Sequence, residues 1–383
     1  MALEPETFRQ LLDTVERFVR ERLIPNEERV AETDEIPEDI LAEMRDLGLY
    51  GLSAPEEYGG LGLSMAEEAE VVYLLGHASP AFRSAIGTNV GIGSQGIVLD
   101  GTEEQKKEWL PRIASGEVVA SFALTEPEAG SDSASVRTLA RKDGDHYVVN
   151  GSKRFITNAA RAGMFTLMAR TGGPGAGGIS AFIVPADLPG IKIGKSEKKM
   201  GQQGAHIHDV IFEDCRVPAA NIIGGKEGQG FKTAMKTLEK GRLHIAALCC
   251  GVASRLIEES VRYASERKQF GQAIGEFQLI QAMLADSKAE AYAALCMVRD
   301  AARKRDAGEP VATEASCCKL FASEMVGRVA DRAVQIHGGS GYIRDYAVER
   351  FYRDVRIFRL YEGTSQVQQL IIARNLLKEA ANA

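Results

Sequence analysis

Near the end of this 383-residue chain one carboxylate stands where chemistry is possible: Glu362, in Tyr361-Glu362-Gly363-Thr364-Ser365-Gln366-Val367-Gln368. Ser365 followed three residues later by Gln368 reads as a capping box that opens a last helix. Glu362 then lies on a loop at a helix entrance, with Gly363 permitting close approach. Two readings stay open on these residues alone: a carboxylate that answers the helix dipole, and a general base held by a stiff helix start. The second informative residue is Arg242. From Phe231 an apolar stripe runs through Met235, Leu238, Ile245, Cys249, Val252 and Leu256, and the stripe position between Leu238 and Ile245 is this arginine. A guanidinium on the buried face of a helix needs an anion, either a protein carboxylate or a bound ligand. Arg267 and Lys268, on what reads as the continuation of the same helix, favour the ligand.

Other motifs carry bland readings. Gly91-Ile92-Gly93-Ser94-Gln95-Gly96 matches a dinucleotide-binding pattern by letter, but no strand precedes it, and close helix packing explains it better. The glycine-rich run at 172–178 lacks a Lys-Ser/Thr partner and reads as a flexible hairpin loop. His206 and His208 have no third ligand nearby, so they read as structural or solvent-facing and no metal is expected. The six cysteines contain no C-x-x-C and read as reduced, mostly buried thiols.

The elements that must position these residues fall into three blocks. Residues 1–119 carry helical periodicity, as in Leu11, Leu12, Val15, Phe18 and Val19, and again in Ile40, Leu41, Met44 and Leu47 before Gly48. Over 120–230 the period changes: HYVVNGSKRFI reads as a hairpin on its Asn-Gly turn, followed by short strands cut by Gly and Pro, which predicts a compact antiparallel β domain. Long helical patterns return over 231–383. The order predicts a multidomain α+β protein with no parallel nucleotide-binding sheet. A net charge of −7 and a pI near 5.6 argue against nucleic acid as a partner. The longest uncharged run, Ser84 to Leu99, is 16 residues and polar, so no membrane span is expected. The N-terminus shows no export pattern, and the expected location is the cytoplasm.

Six segments, FALTEPEAGSDS (122–133), RFITNA (154–159), VIFEDCRVP (210–218), ERKQFGQAIGEFQ (266–278), QIHGGSGY (335–342) and RLYEGTSQVQQ (359–369), together resemble the acyl-CoA dehydrogenase family in order and spacing. The resemblance implies an N-terminal helical domain (1–119), a central β-barrel (120–230) and a C-terminal four-helix bundle (231–383). It implies a homotetramer with FAD at a subunit interface. On the family pattern Glu362 is the base that takes the α-proton of an acyl-CoA while the β-hydrogen leaves as hydride, and an electron-transfer flavoprotein reoxidises the flavin. Such a base needs a water-poor site that raises its pKa, and the thioester oxygen needs hydrogen-bond donors.

By the same resemblance, Phe122, Leu124, Thr125 and Ser131 form the flavin-contacting loop, and Phe155, Ile156 and Thr157 flank the ring. Thr364 and Gln366 follow the base onto the adenosine part. Arg267, Gln269, Phe270, Gln278, Gln335, Gly338 and Gly339 are the neighbouring subunit's share. Glu239 and Arg242 match the segment that meets CoA, and Ser131, Tyr361 and Gly363 match substrate contacts. Some members carry the base one residue before that arginine; here Gly241 stands there.

Arg83, in SPAFRSAIGTN, lies where glutaryl-CoA dehydrogenases have an Arg-Ser pair for the substrate's distal carboxylate, which implies a dicarboxylyl-CoA substrate. Those enzymes also place a glutamate seven residues earlier, and here Gly76 stands in its place. The alternatives are that Arg83 pairs with a nearby acid and the substrate is an unsubstituted or branched short or medium chain, or that the fold serves as a non-catalytic CoA-binding scaffold.

Overall fold

The computed structural model describes residues 3–382. Its N-terminal part is helical: α1 (Pro5–Phe18), α2 (Glu27–Thr33), α3 (Glu38–Asp46), α4 (Met65–Leu75), α5 (Pro80–Val90), α6 (Gln95–Asp100) and α7 (Glu103–Ala114). The periodic residues do what their spacing predicts. Val15 and Phe18 of α1 meet Ile40, Leu41 and Met44 of α3, Val71 and Leu75 of α4, and Phe82 and Ile86 of α5 in one core. Each such fully buried side chain contributes about 1.5–3 kcal/mol. Ser64 and Glu67 make a reciprocal capping box that starts α4.

The middle of the chain is one sheet: β1 (Ala120–Ala123), β2 (Leu139–Asp143), β3 (His146–Thr157), β4 (Met164–Arg170), β5 (Ile179–Pro185), β6 (Ile191–Ser196) and β7 (Ile207–Pro218). The order is β1-β4-β2-β3-β7-β6, with β5 also on β4, so the barrel expected from sequence is a half-barrel. It is not wholly antiparallel either, because β1 pairs with β4 in parallel, Ala120 opposite Met164. Two strands separated by a β2–β3 excursion have no hairpin to force them antiparallel.

The expected Asn150-Gly151 hairpin is wrong. His146–Thr157 is one continuous strand, and the register with β7 slips between Val149 and Gly151, so the dipeptide is a bulge. A Cβ on Gly151 would lie 2.5 Å from Thr138 Oγ1, so glycine is needed here for close approach rather than for a turn. The turn falls earlier, where Asp143 pairs with His146 and Gly144 takes φ 62°.

The C-terminal part contains α8 (Gly230–Glu266), a short ribbon of β8 (Lys268–Gln269) and β9 (Gln272–Ala273), then α9 (Gln278–Asp306), α10 (Ala312–His337), α11 (Ala347–Asp354) and α12 (Ser365–Asn382). Helix α8 ends at Glu266, and Arg267 is extended, so Arg267 and Lys268 do not continue the helix as the sequence suggested. Helices α8, α9 and α10 share a core with Met65, Ala69 and Val72 of α4. There the backbones of α4 and α8 approach closely: a Cβ on Gly76 would stand 2.7 Å from Leu248 O and 2.9 Å from Gly251 Cα. An acidic side chain at position 76 has no room.

Candidate active site

Glu362 occupies a strained turn. Its φ is 51°, in the left-handed region, and Gly363 follows at 89°. A non-glycine residue persists there only when its surroundings over-determine it. Here they do: Gln368 Nε2 donates to the main-chain oxygens of Glu362 (3.2 Å) and Gly363 (3.1 Å), and Lys319 Nζ donates to the Gly363 oxygen (2.7 Å). The cap differs from the sequence reading by one residue. Thr364 Oγ1 accepts from Val367 N, whereas Ser365 is the first residue of α12 and donates to Glu324.

The carboxylate itself is left without partners. Glu362 Oε2 is enclosed and accepts no hydrogen bond, and the residue makes no ion pair among the described residues. Burial pushes its pKa above the ordinary carboxylate range, while the charges of Arg83, Lys319 and Arg242 pull it partly back. A Cβ on Gly241 would stand 2.1 Å from Oε2, so the glycine on α8 is what makes room for a base supplied from position 362.

Three cations surround this carboxylate from three helices. Arg242, on α8, is buried, and its Nε has no partner. Glu239, matched with it to the segment that meets CoA, is bonded to Arg305 at 3.1 Å. Lys319 of α10 is fully buried, and burial holds its ammonium down at about 8, although Cys249 and Glu362 pull the other way. Lys319 is absent from the residues expected at the site, although it interrupts the apolar face Ala315, Ala322, Val326 as Arg242 interrupts its own stripe.

Arg83 lies inside α5, 7 % exposed, and forms no ion pair with any described acid, which removes the simple helix-end pairing. Its Nη2 donates instead to His244 Nδ1 at 3.4 Å. Its charge acts on both Glu362 and Tyr361, lowering the pKa of each. Tyr361 has its phenol pushed well up by burial. Gln202, in the β6–β7 connection with φ 53°, bonds Asp354 through its N–H and accepts from Ser84 at 3.5 Å, tying all three parts of the chain together behind this pocket.

The residues matched to flavin contacts resolve into two groups. The first is assembled where β1 and β3 end. Ser121 Oγ donates to Thr157 O (2.8 Å), Arg154 N donates to Thr125 O (2.8 Å), and Lys153 Nζ donates to Leu124 O (3.0 Å). Phe122, Leu124 and Ile156 are nearly buried, whereas Phe155, at φ 58° beside a second register slip, is turned out to 52 % exposure. Thr125 and Thr157 are half-buried and Ser131 is exposed beside them. An exposed aromatic edge with threonine hydroxyls suits a flat heteroaromatic ring.

The second group, Arg267, Gln269, Phe270, Gln278, Gln335, Gly338 and Gly339, sits at the opposite end of the bundle around the small cluster Ala264, Ile274 and Ile336, and these residues are exposed, Phe270 by 94 %. Beside it opens a cavity of about 510 Å³ that reaches Arg267, Tyr263 and His337. Thr364 and half-exposed Gln366 belong instead to the start of α12, beside the base.

The remaining motifs stay structural. At Gly93 a Cβ would lie 2.6 Å from Ala120 O, which accounts for that glycine by packing. The 172–178 loop joins β4 to β5 but is pinned, since Arg170 Nη1 donates to Gly173 O (2.6 Å) and Gly175 O (3.0 Å). His206 Nε2 bonds Asp34 O, and His208 is buried. Among the described residues no acid, histidine or cysteine cluster is placed to hold a metal, and no helix is long and apolar enough to cross a membrane. All six thiols are free, four of them buried.

The chain thus joins a helical part, a half-barrel and a helical bundle, with a carboxylate at the entrance of the last helix whose Oε2 is enclosed. The family descriptions agree: acyl-CoA dehydrogenase N-terminal, middle and C-terminal domains match residues 5–117, 121–215 and 228–377. The chain is 44% identical to a probable acyl-CoA dehydrogenase, YngJ, of Bacillus subtilis over 96% of this chain and 97% of that one. Among solved structures it resembles an acyl-CoA dehydrogenase complexed with FAD from Bacillus anthracis (37% identical, TM-score 0.92, covering 100% of this chain and 69% of that one). It also resembles a glutaryl-coenzyme A dehydrogenase bound to glutaryl-CoA (32% identical, TM-score 0.93, 99% and 96% covered). The chain belongs to the acyl-CoA dehydrogenase family, and its cofactor is FAD.

Proposed function

We propose that the chain removes the α- and β-hydrogens of an acyl-CoA whose far end carries a carboxylate, giving the trans-2-enoyl-CoA, with Glu362 as the base and Arg83 as the receptor of the distal carboxylate. The observation that carries this reading is an enclosed, unpartnered Glu362 Oε2 within reach of the charge of a buried Arg83 that pairs with no described acid. FAD, when bound, supplies the acceptor for the hydride.

The rest is work for this chain's own atoms. Burial raises the basicity of Glu362, and its Oε2 takes the α-proton. The Glu362 N–H has no main-chain acceptor among the described residues, so it is free to hold the thioester oxygen as negative charge builds there. Arg242, buried and short of a partner, is suited to an anionic group of CoA, with Glu239 nearby; Ser131, Tyr361 and Gly363 complete the substrate contacts.

Phe122, Leu124, Thr125, Ser131, Phe155, Ile156 and Thr157 would hold the ring end of the cofactor, and Thr364 and Gln366 its adenosine part. Arg267, Gln269, Phe270, Gln278, Gln335, Gly338 and Gly339 would serve a neighbouring copy in a homotetramer. Their exposure, and their place in a cluster separate from the first group, support that division. An electron-transfer flavoprotein is the proposed oxidant, in the cytoplasm.

The test is anaerobic bleaching of the oxidised flavin band by glutaryl-CoA and, separately, by butyryl-, hexanoyl- and octanoyl-CoA. Fast bleaching by glutaryl-CoA, lost in Arg83→Ala, is the expected result. Fast bleaching by the plain chains alone overturns the dicarboxylyl reading and leaves a short- or medium-chain substrate.

A further inference from the structure

We infer that Glu68 and His244 form a buried relay that fixes the direction of the Arg83 guanidinium without neutralising it, and so sets the preference for acyl chains that end in a carboxylate. The inference rests on the reading of Arg83 given above. Its members come from three helices: Glu68 from α4, Arg83 from α5, and Lys240 and His244 one turn apart on α8. Glu68 is 1 % exposed and His244 0 %, so water does not compete for their bonds.

The donor and acceptor roles allow one arrangement. Glu68 Oε2 lies 2.6 Å from His244 Nε2, and a carboxylate only accepts, so Nε2 carries the proton. Burial keeps the imidazole from charging, which leaves Nδ1 as a lone-pair acceptor facing Arg83 Nη2. Arginine only donates, so this tautomer is the one that satisfies both neighbours. The other Glu68 oxygen accepts from Lys240 Nζ at 2.8 Å. The carboxylate's charge is thus answered by Lys240, and Arg83 meets a neutral ring instead of an acid. A buried guanidinium that is held in place but not neutralised is what a ligand carboxylate needs.

Room for this arrangement is written into two glycines. A Cβ on Gly87 would stand 2.7 Å from Arg83 Nη1, so the guanidinium lies across its own helix where no side chain intervenes. Gly76 brings α4 and α8 together and leaves no room for an acid at the position where the glutaryl pattern has one. Position 68, two turns earlier on α4, orients Arg83 through His244.

The experiment measures kcat/KM for glutaryl-CoA and for pentanoyl-CoA, equal chains with and without the distal carboxylate, on the flavin-loaded enzyme. In His244→Leu the glutaryl-to-pentanoyl ratio is expected to fall about tenfold, carried by KM, because a buried donor loses its acceptor. His244→Gln, whose amide can donate to Glu68 and accept from Arg83, should recover most of it. Should His244→Leu fail to load flavin, His244→Asn, too short to reach both partners, is scored by the same ratio. A ratio lost in Arg83→Ala but kept in His244→Leu or His244→Asn sinks the relay alone. No preference in the wild type, with none lost in Arg83→Ala, overturns the Arg83 reading and the relay with it.

Discussion

Two glutamates in this chain, Glu126 buried and Glu362 half-buried with an enclosed Oε2, have opposite fates. Glu126, on the loop after β1, accepts Lys153 Nζ at 2.7 Å and the N–H groups of Arg137 and Thr138, and it has no unpartnered oxygen. Burial pushes its pKa up, but the Lys153 charge and these bonds more than reverse that and leave it lowered. Glu362 is surrounded by more cations, yet none pairs with it and its Oε2 accepts nothing, so burial wins and its pKa rises. Cation number is not what separates them: Glu126 has a lysine in direct contact and hydrogen bonds to its charged form, whereas Glu362 has neither. Glu126 is a fastener, holding the segment matched to the flavin ring against β3. Glu362 is a group kept hungry for a proton.

The largest effect is expected at Glu362. Glu362→Gln is expected to keep FAD and acyl-CoA binding while flavin reduction falls about a thousandfold, the order lost with a general base. Rapid bleaching in that variant would falsify the assignment of the base.

Lys153→Met tests the fastener. Leaving Glu126 buried without its cation should cost about 3–5 kcal/mol of stability. The thermal midpoint should drop by several degrees, and Glu126→Gln added to it should recover much of the loss. An unchanged midpoint for Lys153→Met would show that the pair does not hold the loop.

Lys319→Met is expected to give the smallest effect. The base form of Glu362 fills as pH rises, so flavin reduction climbs through its raised pKa. Arg83 of α5, Arg242 of α8 and Lys319 of α10 favour the charged form, while the Tyr361 side chain beside it disfavours it once ionised. Removing the Lys319 charge should move the climb to higher pH by about one unit, or ~1.4 kcal/mol. Because Lys319 itself titrates at about 8, the two profiles should converge above that pH. Superimposed profiles at lower pH would reduce Lys319 to a clamp on the Gly363 oxygen.

Much of this was visible in one dimension. The helical stripes of α1 and α3, the strand runs of β4 to β7 and the odd arginine on the α8 stripe follow from periodicity, since a side chain's neighbours along a helix or strand are set by the repeat. The same reasoning applied to α10 would have found Lys319. What failed were local letters whose meaning depends on distant atoms. Asn150-Gly151 spells a turn, but Thr138 packed against it makes a bulge. Ser365 spells a cap, but Glu324 takes its hydroxyl and Thr364 caps instead.

Composition and repeat along the chain set the three-block order, the apolar faces and the burial of Arg242 on its stripe, because a side chain's neighbours along one element follow from its period. Tertiary structure alone decided what the buried charges meet. The parallel β1–β4 pairing, the Glu239–Arg305 ion pair and the Arg83–His244 bond each join residues far apart in sequence. In a low-dielectric interior, whether a carboxylate finds a donor within about 3 Å decides its chemistry, and no local pattern encodes that distance.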